Sequence, residues 1–263
     1  MKVRVLVMLS KLISELELYF NAQVFYTRFP GPSWVRYDDK RLSLSSRYLP
    51  LIGLLIGMTA FLIYFLSSFM FVQEIAILLS MLVTIMVTGA FHEDGLADSY
   101  DGLYGGFSSE RILEIMKDSR IGTYGSVALF MGLLIKFQAL LLVENIFVAL
   151  LIGHSFSRFA ALCYIPIIPY ARQNNESKAK PAITRVEIKS IVMAAIPGVL
   201  PLMLLNFWKT FAVVSTVILL WLFMRGIFVA RVGEITGDLL GASQQIFEIG
   251  IYLVLGSTLW ISI

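Results

Sequence analysis

Long apolar runs separated by short polar clusters set the plan of this chain. Residues 48–73 contain no charge. At about 1.5 Å per helical residue that run exceeds the roughly 30 Å hydrocarbon core of a bilayer, so it predicts a membrane-spanning helix. Apolar runs at 75–91, 122–142, 145–168, 190–208, 210–224 and 243–263 predict further spans, about seven in all. Residues 1–29 differ. Arg4, Lys11 and Glu15 recur at i, i+7 and i+11, a polar stripe on an otherwise apolar cylinder. That pattern predicts an amphipathic helix lying in or dipping into the interface, ended at Phe29-Pro30-Gly31-Pro32. Polar loops follow at 37–47 and 170–185. The first apolar run, 5–9, is too short for a cleavable signal peptide and is followed by Lys11, Glu15 and Glu17. No repeat or low-complexity segment stands out. The expected fold class is all-α: a polytopic membrane protein forming one domain over 1–263, with an interfacial helix and loop at 1–48 and an acidic motif at 92–121.

Composition supports lipid as the solvent. Charged residues make up 15% of the 263 and hydrophobic residues 58%, with a mean hydropathy of +0.80. Soluble domains carry roughly 25% charged residues, and a soluble fold could not hide this much apolar surface. Cys163 is the only cysteine, which excludes an internal disulfide, and its apolar setting points to packing. The net charge of +3 matters less than its distribution. With seven spans, 18 of the 21 Lys and Arg fall on one side, in 1–48, 92–121, 170–189 and 225–242. The opposite loops hold only Lys209, while Lys136 and Arg158 lie inside spans. By the positive-inside rule the N-terminus and the acidic motif face the cytoplasm and the C-terminus lies outside, as in a bacterial inner membrane. Lys178, Lys180, Arg185 and Lys189 read as part of the same bias. A missed or extra span would scramble this split.

Seven of the eighteen acidic residues fall between Phe91 and Ile121, which makes that stretch the chemical centre of an oily chain. Asp94, Asp98 and Asp101 stand at i, i+4 and i+7, on one face if the second helix continues past the membrane surface. Carboxylates so close repel unless a cation neutralises them. An oxygen-only ligand set favours Mg²⁺, or Mn²⁺. Gly95, Gly102, Gly105 and Gly106 let a phosphate or a backbone come close. Lys117 and Arg120 bracket Asp118. Acids, bases and glycines together suggest a diphosphate bridged by metal to carboxylates, with cations on its remaining oxygens. A solvated loop would need neither helical spacing nor interleaved glycines. An ion or proton pathway would spread its acids along the spans instead.

The run Thr88-Gly89-Ala90-Phe91-His92-Glu93-Asp94-Gly95-Leu96-Ala97-Asp98-Ser99-Tyr100-Asp101-Gly102-Leu103 resembles the signature of the cobalamin synthase family, the adenosylcobinamide-GDP ribazoletransferases. Matching segments are Phe25-Tyr26-Thr27-Arg28-Phe29-Pro30, Arg47-Tyr48-Leu49-Pro50-Leu51-Ile52-Gly53, Glu110-Arg111, Glu114-Ile115-Met116-Lys117-Asp118-Ser119-Arg120-Ile121-Gly122 and Gly237-Asp238-Leu239-Leu240-Gly241-Ala242. Together they cover nearly the whole chain. The resemblance implies a Mg²⁺-dependent enzyme. In its reaction a ribose hydroxyl of α-ribazole, or of its 5′-phosphate, attacks the corrinoid-linked phosphate of adenosylcobinamide-GDP and GMP leaves. It is compatible with a homo-oligomer and with association with other corrinoid-assembly enzymes, and no nucleic acid is expected as a partner.

Candidate metal ligands are Asp94, Asp98, Asp101 and Asp118, with Glu93 last because many family members carry Leu there. Asp101 or Asp118 is the expected general base, and His92 a base or an outer support. Lys117, Arg120, Arg158, Arg28 and Arg47 are candidate substrate contacts, with Gly95 and Gly102 giving close approach. Arg28 and Arg47 also suit interface anchoring. His154 and Arg158, at i and i+4 inside the fourth span, must face the bundle interior or a wet cavity. Arg158 then contacts phosphate or a corrinoid amide, or pairs with an acid such as Asp238. Lys136 snorkels or pairs. Two rivals stand beside this reading. A CDP-alcohol phosphotransferase uses related chemistry, although Asp98 here replaces the Arg expected after Asp94-Gly95-Leu96-Ala97. A cation or proton transporter is the rival of another class.

Overall fold

The computed structural model describes residues 2–36, 39–171 and 186–260. The loop residues Arg172, Lys178, Lys180 and Arg185 and the last residues of the seventh apolar run lie outside that set. The described chain is all-α. Its helices are α1 (Lys2–Tyr26), α2 (Asp39–Ser45), α3 (Leu49–Ser67), α4 (Gln73–Thr88), α5 (Phe91–Gly105), α6 (Ser109–Met116), α7 (Thr123–Leu142), α8 (Ile146–Leu162), α9 (Ile188–Val199), α10 (Phe207–Arg231) and α11 (Gly237–Leu255). Short 3₁₀ turns join some of them, and Tyr170 and Ile235 form an isolated parallel bridge.

Four helical stretches, Arg41–Ser67, Thr123–Leu142, Phe207–Arg231 and Gly237–Trp260, are long and apolar enough to cross a membrane. The architecture is therefore that of an integral membrane protein. α4 and α5 pass the same test only as a pair, and the pair is bent by 85°. The apolar stretches Ile146–Leu162 and Ile188–Leu204 are shorter. Length and composition thus support four or five spans, fewer than the seven expected. The expected break at Lys209 also moves. Asn206 caps α10 by accepting from the Lys209 amide at 2.9 Å, so Lys209 falls in the first turn of the helix. Its ammonium pairs with Glu144 in the turn before α8, at 2.6 Å.

The second apolar run does not continue straight into the acidic motif. α4 stops at Gly89, whose φ is +64°, and Ala90 follows at +58°. Glycine adopts this left-handed conformation freely, whereas alanine there costs roughly 1–2 kcal/mol. The elbow is held by Ala90 N–H on the Ile85 carbonyl (2.9 Å) and Arg28 N–H on the Val87 carbonyl (2.7 Å). A new helix, α5, then starts in a new direction. Asp94, Asp98 and Asp101 still occupy one helix, but its axis is set by this elbow.

α8 is the central post of the bundle, buried on nearly every side. α3 can lie directly against it because of Gly53 and Gly57. A Cβ at Gly53 would come within 2.2 Å of the His154 carbonyl oxygen, and one at Gly57 within 2.8 Å of the Leu150 carbonyl oxygen. Small residues four apart are the usual means of bringing membrane helices into backbone contact. On the other side of α8, Tyr164 stacks on Trp221 of α10 with ring centroids 4.6 Å apart, and its hydroxyl donates to the Trp221 carbonyl at 2.9 Å. Phe211, Ile218, Leu222 and Phe223 of α10 are exposed, a surface suited to lipid contact. Met8, Leu9, Leu12, Ile13 and Leu16 of α1 are exposed in the same way.

Candidate active site

The start of α5, the end of α8 and the start of α11 converge on a cavity of about 220 Å³. The convergence rests on a close crossing of α5 over α11. A Cβ at Gly95 would lie 2.9 Å from the Asp238 carbonyl oxygen and 3.3 Å from the Gly241 Cα. Gly95 therefore serves helix packing, and through it the carboxylates of two helices are brought together. Asp94 and Asp238 both line the cavity. Asp94, Asp238 and Asp101 all lie close enough to Asp98 to oppose its charge. Cations face this acid: Lys117, at the end of α6, and Arg158, from α8, also line the cavity.

The remaining wall is largely apolar and aromatic. Phe25 and Tyr26 at the end of α1 meet Phe91 edge to face, with centroids 5.7 and 6.0 Å apart. Leu162, Ile165 and Leu240 continue the wall, and Tyr170 closes it beside Glu234 and Thr236. The parallel bridge fixes this rim: Ala171 N–H donates to the Ile235 carbonyl at 2.9 Å, and Ile235 N–H to the Pro169 carbonyl at 2.8 Å. Burial, reinforced by the Asp238 charge, pushes the Tyr170 phenol up to about 12. It stays protonated and can donate a hydrogen bond at any working pH. Three cavity-lining residues each keep one buried polar atom without a protein partner: Tyr26 Oη, His92 Nδ1 and Arg158 Nε.

Asp98 does not line the cavity but stands near Asp94 and Asp238, and the structure separates the remaining candidates from it. Asp101 is buried, and its two oxygens accept from Gly122 N–H at 2.6 Å and Gly125 N–H at 2.9 Å, at the start of α7. Asp118 lies beyond the end of α6 and is held bidentately by Arg120. That hydrogen-bonded pairing lowers the Asp118 carboxyl to about 2. Arg120 is exposed and spent on the same pair. Glu93 points into the bundle, where Gln245 donates to it at 3.0 Å. The Arg28 guanidinium lies over Gly89 at the elbow. Arg47 pairs with Glu15 at 2.5 Å, and the Tyr48 hydroxyl donates to the same carboxylate at 2.6 Å. Gly102 packs against Ile112 and Met116 of α6. Asp94, His92, Lys117 and Arg158 are the expected residues that line the cavity. Tyr26, Tyr170, Asp238 and Gln244 join them; Asp238 was legible as part of Gly237-Asp238-Leu239-Leu240-Gly241-Ala242 and as an alternative partner for Arg158.

A model of the family described as cobalamin-5-phosphate synthase matches residues 18–256, across all the elements that build the cavity. The chain belongs to the cobalamin-5-phosphate synthase family. Adenosylcobinamide-GDP ribazoletransferase of Shewanella amazonensis is 44% identical to it over 254 residues, covering 92% of this chain and 95% of that protein. The proteins of the same name from Shewanella frigidimarina and Shewanella pealeana are 42% and 40% identical, over 252 and 247 residues. They cover 93% and 92% of this chain and 96% and 95% of their own lengths. No solved structure matches the chain. Family membership therefore rests on sequence along nearly the full length, and the cavity shows where the matched motifs meet.

Proposed function

We propose that this family member transfers the corrinoid-linked phosphoryl group of adenosylcobinamide-GDP to α-ribazole or its 5′-phosphate, with the reaction centred on the α5–α8–α11 cavity. The observation that carries this reading is the meeting of Asp94 and Asp238 with Lys117 and Arg158 in one partly apolar cavity. A ribose hydroxyl oxygen forms the new bond to the corrinoid-side phosphorus. The bond from that phosphorus to the bridging diphosphate oxygen breaks, and GMP departs with the electron pair. Lys117 and Arg158 hold phosphate oxygens. His92, which lines the cavity and keeps Nδ1 unpartnered, is the proposed acceptor of the hydroxyl proton. Asp118 is held by Arg120 and does not line the cavity.

Among the described residues no three His, Cys, Asp or Glu side chains form a ready metal cage. Mg²⁺ commonly uses one or two carboxylates and completes its shell with water and substrate phosphate. Asp94 and Asp98, facing Asp238 across the α5–α11 crossing, fit that mode, and their mutual repulsion favours a cation between them. When bound, the ion would neutralise diphosphate charge.

A volume near 220 Å³ suits the reacting phosphates or a bicyclic base. A corrin ring is far larger, so the corrinoid stays outside the mouth. For topology, the four long spans, α4, α8 and the stretch 188–204 together make seven crossings. The one-sided Lys and Arg distribution supports seven, with the cavity on the cytoplasmic face.

Purified protein in lipid, given adenosylcobinamide-GDP, α-ribazole and Mg²⁺, should release GMP and form the cobamide in equal amounts. Release of CMP from a CDP-lipid with no reaction of the corrinoid would overturn the assignment.

A further inference from the structure

Beneath the cavity the bundle interior is polar. Glu248 of α11 is buried inside the bundle. Its Oε1 lies 3.0 Å from Lys136 Nζ of α7, and its Oε2 lies 3.2 Å from His154 Nδ1 and 3.9 Å from Arg158 of α8. Gln244 donates to the same Oε2 at 2.5 Å and to Ser157 at 3.0 Å. Lys136 donates to Gln245 at 2.6 Å, and Gln245 to Glu93 at 3.0 Å. The Arg158 Nη1 donates to the His154 carbonyl at 2.9 Å. Three helices are thus tied through one carboxylate to one guanidinium that borders the cavity.

Such a network is costly as mere scaffolding. Apolar residues of similar volume commonly replace buried ion pairs with no loss of stability, and sometimes with a gain. This network also stops short of satisfying its end member. Arg158 Nε has no partner, nor has His92 Nδ1, and both residues line the cavity. Buried nitrogens left unpaired cost free energy unless something else binds them. Among the described residues Arg158 is the one buried cation on the cavity wall, since Lys117 at the rim is exposed.

We infer that the cavity floor at Arg158 is a subsite for a phosphate oxyanion, and that Glu248, backed by Lys136, is the positioning residue that aims Arg158 into it. The inference rests on the proposed phosphoryl-transfer site but is tested without turnover. The probe is GDP with excess Mg²⁺, which carries the diphosphate without the corrinoid, and binding is read by calorimetry on protein in nanodiscs. Wild type should bind GDP, and Arg158→Gln should weaken it about tenfold or more. Glu248→Leu alone should lower the melting temperature, because it strands Lys136. The double variant Lys136→Met, Glu248→Leu should recover the melting temperature while GDP affinity stays several-fold low. Recovery of both would show the network to be packing alone and overturn the positioning role. Unchanged GDP binding by Arg158→Gln, or no GDP binding by wild type, would overturn the subsite. Failure of wild type to make cobamide while GDP binding follows this pattern would count against the reaction and leave the subsite standing.

Discussion

The carboxylate of Asp101 accepts the backbone N–H of Gly125 at 2.9 Å, and its other oxygen accepts that of Gly122 at 2.6 Å. An acid of α5 thereby caps the first turn of α7, where the amides have no helical acceptor and the helix dipole favours negative charge. A Cβ at Gly125 would sit 2.4 Å from that carboxylate, so the contact leaves no space for a larger residue. Asp101→Ala strands two amides and should cost about 2–4 kcal/mol. Asp101→Asn keeps one acceptor and should cost about 1–2 kcal/mol. Below their melting temperatures both variants should keep turnover within about threefold of wild type, a range in which transition-state binding is little changed. An Asp101→Asn protein that melts normally yet turns over nothing would return Asp101 to the metal.

Asp98 is the opposite case, an acid that the proposed reading assigns to the metal. Burial is the largest cost to its charge, and Asp94, Asp238 and Asp101 oppose it further. Asp98→Asn should therefore raise the melting temperature of metal-free protein. Relief of about 1 kcal/mol corresponds to roughly 2–4 °C in a chain of this size. The same variant should lose the stabilisation that Mg²⁺ gives wild type, and turnover should fall about 100-fold or more. Thermal melts with and without Mg²⁺ measure both. A lower metal-free melting temperature would mean that Asp98 is a structural acid.

These two aspartates mark the limit of what spacing reveals. The i, i+4, i+7 pattern puts Asp94, Asp98 and Asp101 on one face of a continued second helix; they do share a helix, but one that starts anew after the elbow. It cannot show that the amino end of α7 docks beside Asp101, because that contact joins residues more than twenty positions apart. The apolar runs foretold an all-α membrane bundle, yet not the elbow at Gly89 and Ala90, since Ala90 takes a conformation its residue type disfavours. The interior network left a trace that could have been weighed: Gln244, Gln245 and Glu248 are polar residues inside an apolar run, and such residues mark polar interiors. Which cations answer them depends on the packing of α7 and α8 against α11.

Asp118 bears on the pH profile. Arg120 lowers its folded carboxyl to about 2. A depressed acid adds stability above its unfolded value, near 4, and loses it only as pH falls through the folded value. Asp118 stays ionised across any assayable range, so an acid limb in kcat/KM between pH 5 and 8 belongs to another group. Asp118→Asn should leave the midpoint of that limb in place, whatever it does to kcat. A shift of the midpoint by about one unit would make Asp118 the titrating base.

Topology has its own test. In a Cys163→Ala background, Ser119→Cys sits on the loop after α6 and Phe207→Cys on the exposed start of α10. If the basic side faces the cytoplasm, an impermeant maleimide should label Cys at 207 in intact right-side-out cells. It should reach Cys at 119 only after permeabilisation. The reverse pattern would invert the orientation, and labelling of both in intact cells would break the seven-crossing count.

The α3–α8 contact ties stability to the site. A Cβ at Gly53 would meet the His154 carbonyl oxygen at 2.2 Å and the Arg158 Cδ at 3.0 Å. The nearer obstacle is backbone, which cannot rotate aside as a side chain can. Gly53→Ala must part the two helices, at about 1–3 kcal/mol. It also pushes on the carbonyl that accepts from Arg158 Nη1 at 2.9 Å. Gly57→Ala meets the Leu150 carbonyl oxygen at 2.8 Å and the Leu151 Cα at 3.3 Å, one turn further from the cavity. Both variants should melt earlier than wild type, Gly53→Ala the more so. Only Gly53→Ala should also raise KM for the diphosphate donor, measured well below its melting temperature. Equal KM values in the two variants would show that the helix contact does not reach Arg158.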